Sequence, residues 1–256
     1  MAIRQSVCIS ILPDMDPDEL LREIAAIGYH GVEIWIRDDN FPDLCETASR
    51  HGLQMVGMIG HDSLLDGLNK PQNHDRIEAE LRASIDCAVA HGLRGLICFS
   101  GARVEGMGDD EAVANTAAGL ARVAPYAEEK GINLNLELLN SIVDHPGYQC
   151  DHTAWGLEVV ARVGSPRVKL LYDIYHMQIM EGNIIRNLTE NIETIGHIHT
   201  AGNPGRNDLD DNQELNYRGI CRAVNATGYD GFIGHEFMPK NDLVAALRQG
   251  FETCHI

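Results

Sequence analysis

Four side chains that can bind a metal ion or transfer a proton stand at the ends of short apolar segments in the second half of the sequence. They are Glu137, Asp173, His199 and Glu236. Three carboxylates and one imidazole form a mixed oxygen and nitrogen donor set, which suits Mn²⁺, Mg²⁺ or Co²⁺. The cysteines do not cluster, which argues against a structural zinc site. The sequence therefore predicts a catalytic site for a divalent metal.

Each of these residues has a simpler explanation when it is taken alone. An acidic residue at the end of a strand can cap the next helix or pair with a neighbouring lysine or arginine. Four such residues at equivalent positions favour a shared site, because three crowded carboxylates repel one another unless a cation or raised pKa values relieve the repulsion.

The elements that must position these residues alternate along the chain. Runs rich in β-branched and other apolar residues predict eight strands, at Ser6–Leu12, Gly31–Ile36, Gln54–Ile59, Gly95–Phe99, Ile132–Leu138, Val168–Asp173, Ile195–Ala201 and Gly231–Phe237. Amphipathic segments, several of them followed by glycine, predict eight helices, at about Pro17–Ile27, Asp43–His51, Asp75–His91, Asp109–Lys130, Thr153–Val163, Ile184–Ile192, Tyr217–Thr227 and Asp242–Cys254.

Eight strand–helix units in 256 residues predict an α/β fold, a single (β/α)8 TIM barrel that occupies residues 1–256 as one catalytic domain. Catalytic groups in this fold gather at the carboxyl ends of the strands. The four candidate residues end consecutive strands, the fifth to the eighth, so we expect them to meet at one mouth of the barrel. Strand alternation places Asn135 on the face of Glu137, and His197 on the face of His199.

Composition narrows the classes of function. The 20 basic and 38 acidic residues give a formal net charge of −18 at pH 7, which argues against a nucleic acid partner. No apolar stretch approaches the roughly 18 residues that span a bilayer, and the N-terminus shows no signal-peptide pattern. Seven scattered cysteines without a Cys-x-x-Cys pair suit a reducing compartment. We therefore expect a cytoplasmic protein with a small-molecule substrate and no membrane contact.

Three further residues are candidates for substrate binding. His176 lies three positions after Asp173, and Arg206 lies in the loop after the seventh predicted strand. A guanidinium there could clamp a carboxylate or hydroxyl groups, although a solvated arginine in an ion pair explains it equally well. His61 follows the third predicted strand and is open to the same two interpretations as His176, a substrate ligand or an ordinary loop histidine.

Several segments together resemble the hydroxypyruvate isomerase family, within the xylose isomerase-like barrel superfamily, over essentially the whole chain. The segments that carry this resemblance are Tyr172–Gln178, Met180–Gly182, Ile195–His199, Asn203–Arg206, Glu214–Tyr217 and Gly234–Glu236. The resemblance implies a barrel in which Glu137, Asp173, residue 199 and Glu236 ligate a divalent metal. It also implies that Glu137 and Glu236 transfer protons.

The sequence departs from this family at two places. Hydroxypyruvate isomerases of this type usually carry glutamine at position 199, whereas the related ketose 3-epimerases carry histidine, as this chain does. The 208–213 loop also differs from the glycine-rich stretch usual in those isomerases. Both differences bear on the substrate rather than on the metal, because imidazole is at least as good a ligand as a carboxamide.

The leading hypothesis is the isomerisation of hydroxypyruvate to tartronate semialdehyde through a metal-stabilised cis-enediolate. Glu137 and Glu236 are the acid–base candidates, His176 would donate a hydrogen bond to a substrate oxygen, and Arg206 would hold the carboxylate. The alternatives are a ketose 3-epimerase or a 2-oxo-tetronate isomerase that uses the same site. A dehydratase, an endonuclease and a non-catalytic barrel that binds a sugar acid are more distant. We also expect a homo-oligomer.

Overall fold

Eight parallel strands close into one barrel in residues 3–256, the part of the chain that the computed structural model describes. Neighbouring strands follow the chain order, and the barrel closes where Arg4 of the first strand pairs with Phe232 of the last. The strands are β1 Arg4–Cys8, β2 Gly31–Glu33, β3 Gln54–Ile59, β4 Gly95–Cys98, β5 Asn133–Glu137, β6 Val168–Asp173, β7 Ile195–Thr200 and β8 Phe232–His235. The predicted fold class, α/β with a single (β/α)8 barrel, is confirmed.

Helices cover the outside of this barrel, and the buried apolar side chains lie mainly between the two layers. Within residues 3–256 the α-helices are α1 Pro17–Ile27, α2 Phe41–Arg50, α3 His74–His91, α4 Asp109–Lys130, α5 Thr153–Val163, α6 Ile174–Met180, α7 Ile184–Glu190, α8 Tyr217–Ala226 and α9 Leu243–Cys254. Short 3-10 turns occur at Ile9–Ile11, Pro71–Asn73 and Ile192–Thr194. The assignment of residues 1–256 to one domain stays a prediction.

The first helix shows how local sequence sets the ends of an element. The Asp16 side chain accepts a hydrogen bond from the Glu19 backbone N–H, and Pro17 occupies the first helical position. The helix ends at Gly28, whose φ of 114° lies in the left-handed region that favours glycine. These signals explain why the predicted bounds of this helix agree with the observed ones.

The structure contains one helix that periodicity did not predict, α6, which begins directly after β6. No glycine or proline separates it from β6, and its first turn is capped by the Asp173 side chain, which accepts a hydrogen bond from the His176 backbone N–H at 2.9 Å. Strands β1 and β2 also end earlier than predicted, at Cys8 and Glu33, so Glu33 becomes the last residue of its strand.

The barrel interior near the amino-terminal ends of the strands is polar and contains several glycines. A barrel of this kind usually fills its interior with large branched side chains. Here Asn135 lies between two glycines, since a Cβ atom on Gly196 would stand 2.1 Å from its Oδ1 and a Cβ atom on Gly95 would stand 2.5 Å from its Nδ2. A cavity of about 180 Å³ at this end is lined by Glu33, Asn135, His197 and other residues.

Across residues 3–256, none of the helices combines the length and the apolar character that crossing a membrane would require.

We expect Gly196→Ala to destabilise the protein by about 1–3 kcal/mol, because the new methyl group would overlap with Asn135. Gly57→Ala is the matched control, since a Cβ atom there meets its nearest neighbour, the Gly95 carbonyl oxygen, at an ordinary 3.6 Å. Urea unfolding monitored by circular dichroism gives both values. Equal losses of stability in the two variants would contradict this explanation of Gly196.

Candidate active site

A large cavity opens at the carboxyl ends of the strands, where enzymes of this fold place their active sites. Its volume is about 830 Å³, within the range of small-molecule sites. Trp35, Phe99 and Leu139 form part of an apolar wall, and Glu137 and Glu236 lie at its polar side. The smaller cavity at the opposite end of the barrel is separate from this mouth. The larger cavity is therefore the candidate active site.

The four residues predicted as metal ligands come together beside this cavity, and two of them, Glu137 and Glu236, line it. Their donor atoms all lie within 4.8 Å of one another, and all four residues are buried. From His199 Nδ1 the distances are 3.4 Å to Glu236 Oε2, 3.6 Å to Glu137 Oε1 and 4.0 Å to Asp173 Oδ2. Strand register explains the meeting, because β6 and β7 pair Asp173 with His199.

The donor set fits a divalent cation. His199 Nδ1 is buried and has no hydrogen-bond partner, and three carboxylate oxygens surround it. Donor atoms bound to one cation at about 2.0–2.2 Å are separated by roughly 3–4 Å, which matches the separations from His199 Nδ1. The cluster therefore has the chemistry and the size of a site that could hold a divalent cation.

Burial and neighbouring charges shift the pKa values of the three carboxyl groups in different directions. Burial raises the pKa of Glu137, and it raises the pKa of Asp173 to about 7. Burial also opposes ionisation of Glu236, but the Arg206 guanidinium and His199 hold the pKa of this carboxyl well below its usual range. Glu236 is thus held as an ionised carboxylate, whereas burial opposes ionisation of the other two groups.

Glu236 has two partners that sequence reasoning did not assign. Trp35 donates from Nε1 to Glu236 Oε1 at 2.6 Å, and Arg206 donates from Nη2 to Glu236 Oε2. Trp35 therefore does more than form an apolar wall, because it orients one oxygen of an acid–base candidate. The available signal was a tryptophan two residues after Glu33, within the segment predicted as the second strand.

Glu33 is a functional candidate that sequence reasoning missed entirely. Its side chain is 2% exposed, and its Oε2 lies 2.9 Å from His197 Nε2 and 3.0 Å from His199 Nε2. Burial opposes its ionisation, but the two imidazoles hold the pKa of Glu33 well below its usual range. The signal in the sequence was a lone carboxylate within the apolar run 31–36.

His176 is fixed with one N–H pointing into the site. Asn140 Oδ1 accepts from the backbone N–H groups of Val143 and Asp144, so Asn140 Nδ2 donates to His176 Nδ1 at 2.6 Å. The proton of the neutral ring is then on Nε2, which is buried without a hydrogen-bond partner and lies 3.8 Å from Asp173 Oδ2. Burial and the charge of Arg206 lower the pKa of His176 well below its usual range, which keeps the ring neutral.

Arg206 points into the site rather than into solvent. Its side chain is 14% exposed, and its guanidinium contacts Glu236, while its Nε has no partner. Its backbone has a φ of 56°, in the left-handed region that a bulky residue rarely adopts. The loop therefore holds this residue in a costly conformation that brings the guanidinium to the cavity, and the alternative of a solvated surface arginine is wrong.

His61 also lines the cavity, at the end of β3. Its Nε2 accepts a hydrogen bond from the Phe99 backbone N–H at 2.9 Å, so the ring proton is on Nδ1, which is buried without a partner. Burial lowers the pKa of His61 to about 3, so the ring is neutral. The residue therefore offers one N–H donor that is available to a ligand.

Comparisons with known proteins agree with this architecture. Residues 21–254 match a family described as xylose isomerase-like TIM barrel. A solved structure described as AP endonuclease, family 2 from Brucella melitensis superposes with a TM-score of 0.85 at 24% identity, covering 99% of this chain and 100% of that chain. At this identity the structural likeness shows the fold alone.

Two curated relatives are named as isomerases, in agreement with the predicted enzyme class. Hydroxypyruvate isomerase of Escherichia coli is 30% identical over 178 residues, which cover 70% of this chain and 68% of that protein. The 2-oxo-tetronate isomerase of Cupriavidus necator is 37% identical over 128 residues, 50% of this chain and 48% of that protein. Together with the family match, these similarities show that the chain belongs to the hydroxypyruvate isomerase family of xylose isomerase-like TIM barrels.

Proposed function

We propose that this chain is a metal-dependent isomerase that interconverts a small hydroxy-keto acid and its aldehyde isomer, with hydroxypyruvate and tartronate semialdehyde as the leading pair. The observation that carries the proposal is the buried cluster of three carboxylates around His199 Nδ1 at the mouth of the barrel. The names of the relatives support the class of substrate.

Glu137, Asp173, His199 and Glu236 would hold the metal. When bound, a divalent cation supplies Lewis-acid stabilisation for the negative charge that develops on the substrate oxygens as a proton leaves the neighbouring carbon. All four residues are buried, and the low dielectric around them strengthens every charge interaction among them.

Glu137 and Glu236 are the proposed acid–base pair. Isomerisation requires a carboxylate to remove a proton from the carbon beside the carbonyl and a carboxyl group to return one to the former carbonyl carbon, through a cis-enediolate of the substrate. The hydroxyl proton passes to the former carbonyl oxygen in the same conversion. The surroundings of the two residues differ, because Arg206 and His199 hold the pKa of Glu236 well below its usual range whereas burial raises the pKa of Glu137. A bound cation would favour the ionised form of both, so either residue could serve as the base.

The remaining predicted residues would bind the substrate. The Arg206 guanidinium would pair with the substrate carboxylate, and the free N–H groups of His176 and His61 would donate to its oxygens. The apolar side of the cavity would leave room for a chain longer than three carbons, which keeps a 2-oxo-tetronate within the proposed class.

The second candidate function is a ketose 3-epimerase, and one observation favours it. Position 199 carries histidine, which contributes Nδ1 to the cluster, where the resembling hydroxypyruvate isomerases usually have glutamine. The same acid–base pair on opposite sides of one carbon would invert its configuration instead of moving the carbonyl. The choice between the two functions therefore depends on how a substrate is oriented above the same cluster.

Chelation tests the metal site directly. We expect EDTA dialysis to abolish isomerisation of hydroxypyruvate, and stoichiometric Mn²⁺, Mg²⁺ or Co²⁺ to restore it, because the proposed chemistry needs a Lewis acid. Metal content by mass spectrometry before and after dialysis is the control. Full activity in protein shown to be free of metal would refute the proposal.

Substitution tests the acid–base pair. We expect Glu137→Gln and Glu236→Gln each to lower kcat by at least 10²-fold while thermal unfolding stays cooperative, since removing a positioned acid or base typically costs 10²–10⁴-fold. Glu111→Gln on the exposed surface of α4 is the matched control and should retain activity. Either active-site variant retaining wild-type kcat would remove that residue from the mechanism.

Arg206→Lys separates the acid substrates from neutral sugars. Loss of a bidentate pair with a carboxylate should raise KM for hydroxypyruvate by about 10–100-fold, because hydrogen bonds to charged groups contribute about 1.5–3 kcal/mol. Steady-state kinetics should show a smaller change for a neutral ketose if one is accepted. An equal change for both substrate classes would argue against a carboxylate at Arg206.

A further inference from the structure

A buried carboxylate outside the proposed ligand set lies on the far side of the His199 ring. Glu33 accepts three hydrogen bonds: Oε2 receives the two Nε2 groups of His197 and His199, and Oε1 receives the Ser6 hydroxyl at 2.5 Å. The side chain is 2% exposed, so water does not compete for these contacts. None of the proposed steps of proton transfer or substrate binding uses this residue.

The hydrogen bonds of Glu33 determine which nitrogen of His199 can bind a metal. An ionised carboxylate only accepts hydrogen bonds, so the ring nitrogen that faces it must carry a proton. In a neutral imidazole the other nitrogen then presents a lone pair. For His199 this other nitrogen is Nδ1, the buried atom without a partner that faces Glu137, Asp173 and Glu236.

We propose that Glu33 is a positioning residue that holds the His199 ring in the Nε2–H tautomer and aims Nδ1 at the metal site. This inference rests on the proposed function, because it requires a cation among the four ligands. A carboxylate hydrogen-bonded to a ligating histidine also makes the histidine a stronger donor, and loss of such a partner typically lowers metal affinity 10–100-fold.

The backbone at Gly234 lies close to the Glu33 carboxylate and to the two histidine rings that it contacts. A Cβ atom on Gly234 would stand 2.3 Å from Glu33 Oε1, 2.9 Å from His197 Nε2 and 3.0 Å from His199 Cδ2. A glycine at this position therefore creates the space in which the carboxylate and the two rings meet. Any larger residue at 234 would push Glu33 away from the histidine that it orients.

A second cation held by Glu33, His197 and His199 is the competing explanation, because their donor atoms also lie within 4.8 Å of one another. Such a site would require His199 to bind one cation at Nε2 and another at Nδ1, which leaves no proton on the ring. The Ser6 hydroxyl already occupies Glu33 Oε1. The hydrogen-bonded arrangement needs no second ion and satisfies every polar atom of Glu33.

The test compares Mn²⁺ and Co²⁺ binding in the full-length wild type, in Glu33→Gln and in Asn135→Ala. Asn135→Ala is the matched control, because it also removes a buried polar group from the barrel interior but belongs to neither cluster. We expect one ion per wild-type chain, an affinity about 10–100-fold lower for Glu33→Gln by titration calorimetry, and a change of less than about 3-fold for Asn135→Ala. The Co²⁺ absorption spectrum of Glu33→Gln should also change, because His199 would no longer be oriented as a ligand.

The outcomes separate the two proposals. A wild type that binds neither ion would overturn the proposed function and this inference with it. A wild type that binds one ion, with unchanged affinity and Co²⁺ spectrum in Glu33→Gln, would overturn only the role of Glu33. Two ions per wild-type chain, reduced to one in Glu33→Gln, would replace it with a second metal site.

A measurement on the wild type alone keeps the inference testable if Glu33→Gln fails to fold. Long-range ¹H–¹⁵N correlation spectra of the Mg²⁺-loaded protein distinguish the two imidazole tautomers. We expect His199 to carry its proton on Nε2 and to have an unprotonated Nδ1. A proton on Nδ1 in the Mg²⁺-loaded protein would overturn the role of Glu33.

Discussion

Mutual repulsion among three buried carboxylates is the constraint on which the rest of this site depends. Glu137, Asp173 and Glu236 are removed from water and crowded into one cluster, an arrangement that is costly unless positive charge balances it. The Arg206 guanidinium provides part of that charge and lowers the pKa of Glu236, but burial still raises the pKa values of the other two. The cluster therefore favours further positive charge, which a divalent cation would supply.

The polar residues of the barrel interior form two layers, and His199 connects them. The upper layer is the carboxylate cluster at the mouth, and the lower layer contains Glu33 and His197, with His199 shared between them through its two ring nitrogens. Gly234 makes space for Glu33, His197 and His199, and Gly196 makes space for Asn135, where other barrels place large apolar side chains.

Substrate choice depends on groups above the cluster, because isomerisation and epimerisation can use the same acid–base pair. Arg206 reaches the cavity from a loop, and in the proposed function it would favour an acidic substrate. Histidine at position 199 is instead the residue that the related ketose 3-epimerases carry. His176 and His61 each present one N–H that has no protein partner. In the proposed function, orientation of the substrate by these donors would decide which carbon receives the returning proton.

Much of the fold and the central cluster could be predicted from the sequence, because parallel strands bring their carboxyl ends to one edge whatever their separation along the chain. The alternation of strands and helices and the four strand-end residues were therefore recognisable from local pattern alone. Helix α6 follows β6 without a glycine or proline to mark its start, and the contacts of Glu33 with His197 and His199 cross the barrel interior. Such contacts depend on barrel curvature, on the space left by Gly234 and on side-chain reach, which no local pattern encodes, so only the tertiary structure decided which nitrogen of His199 faces the cluster.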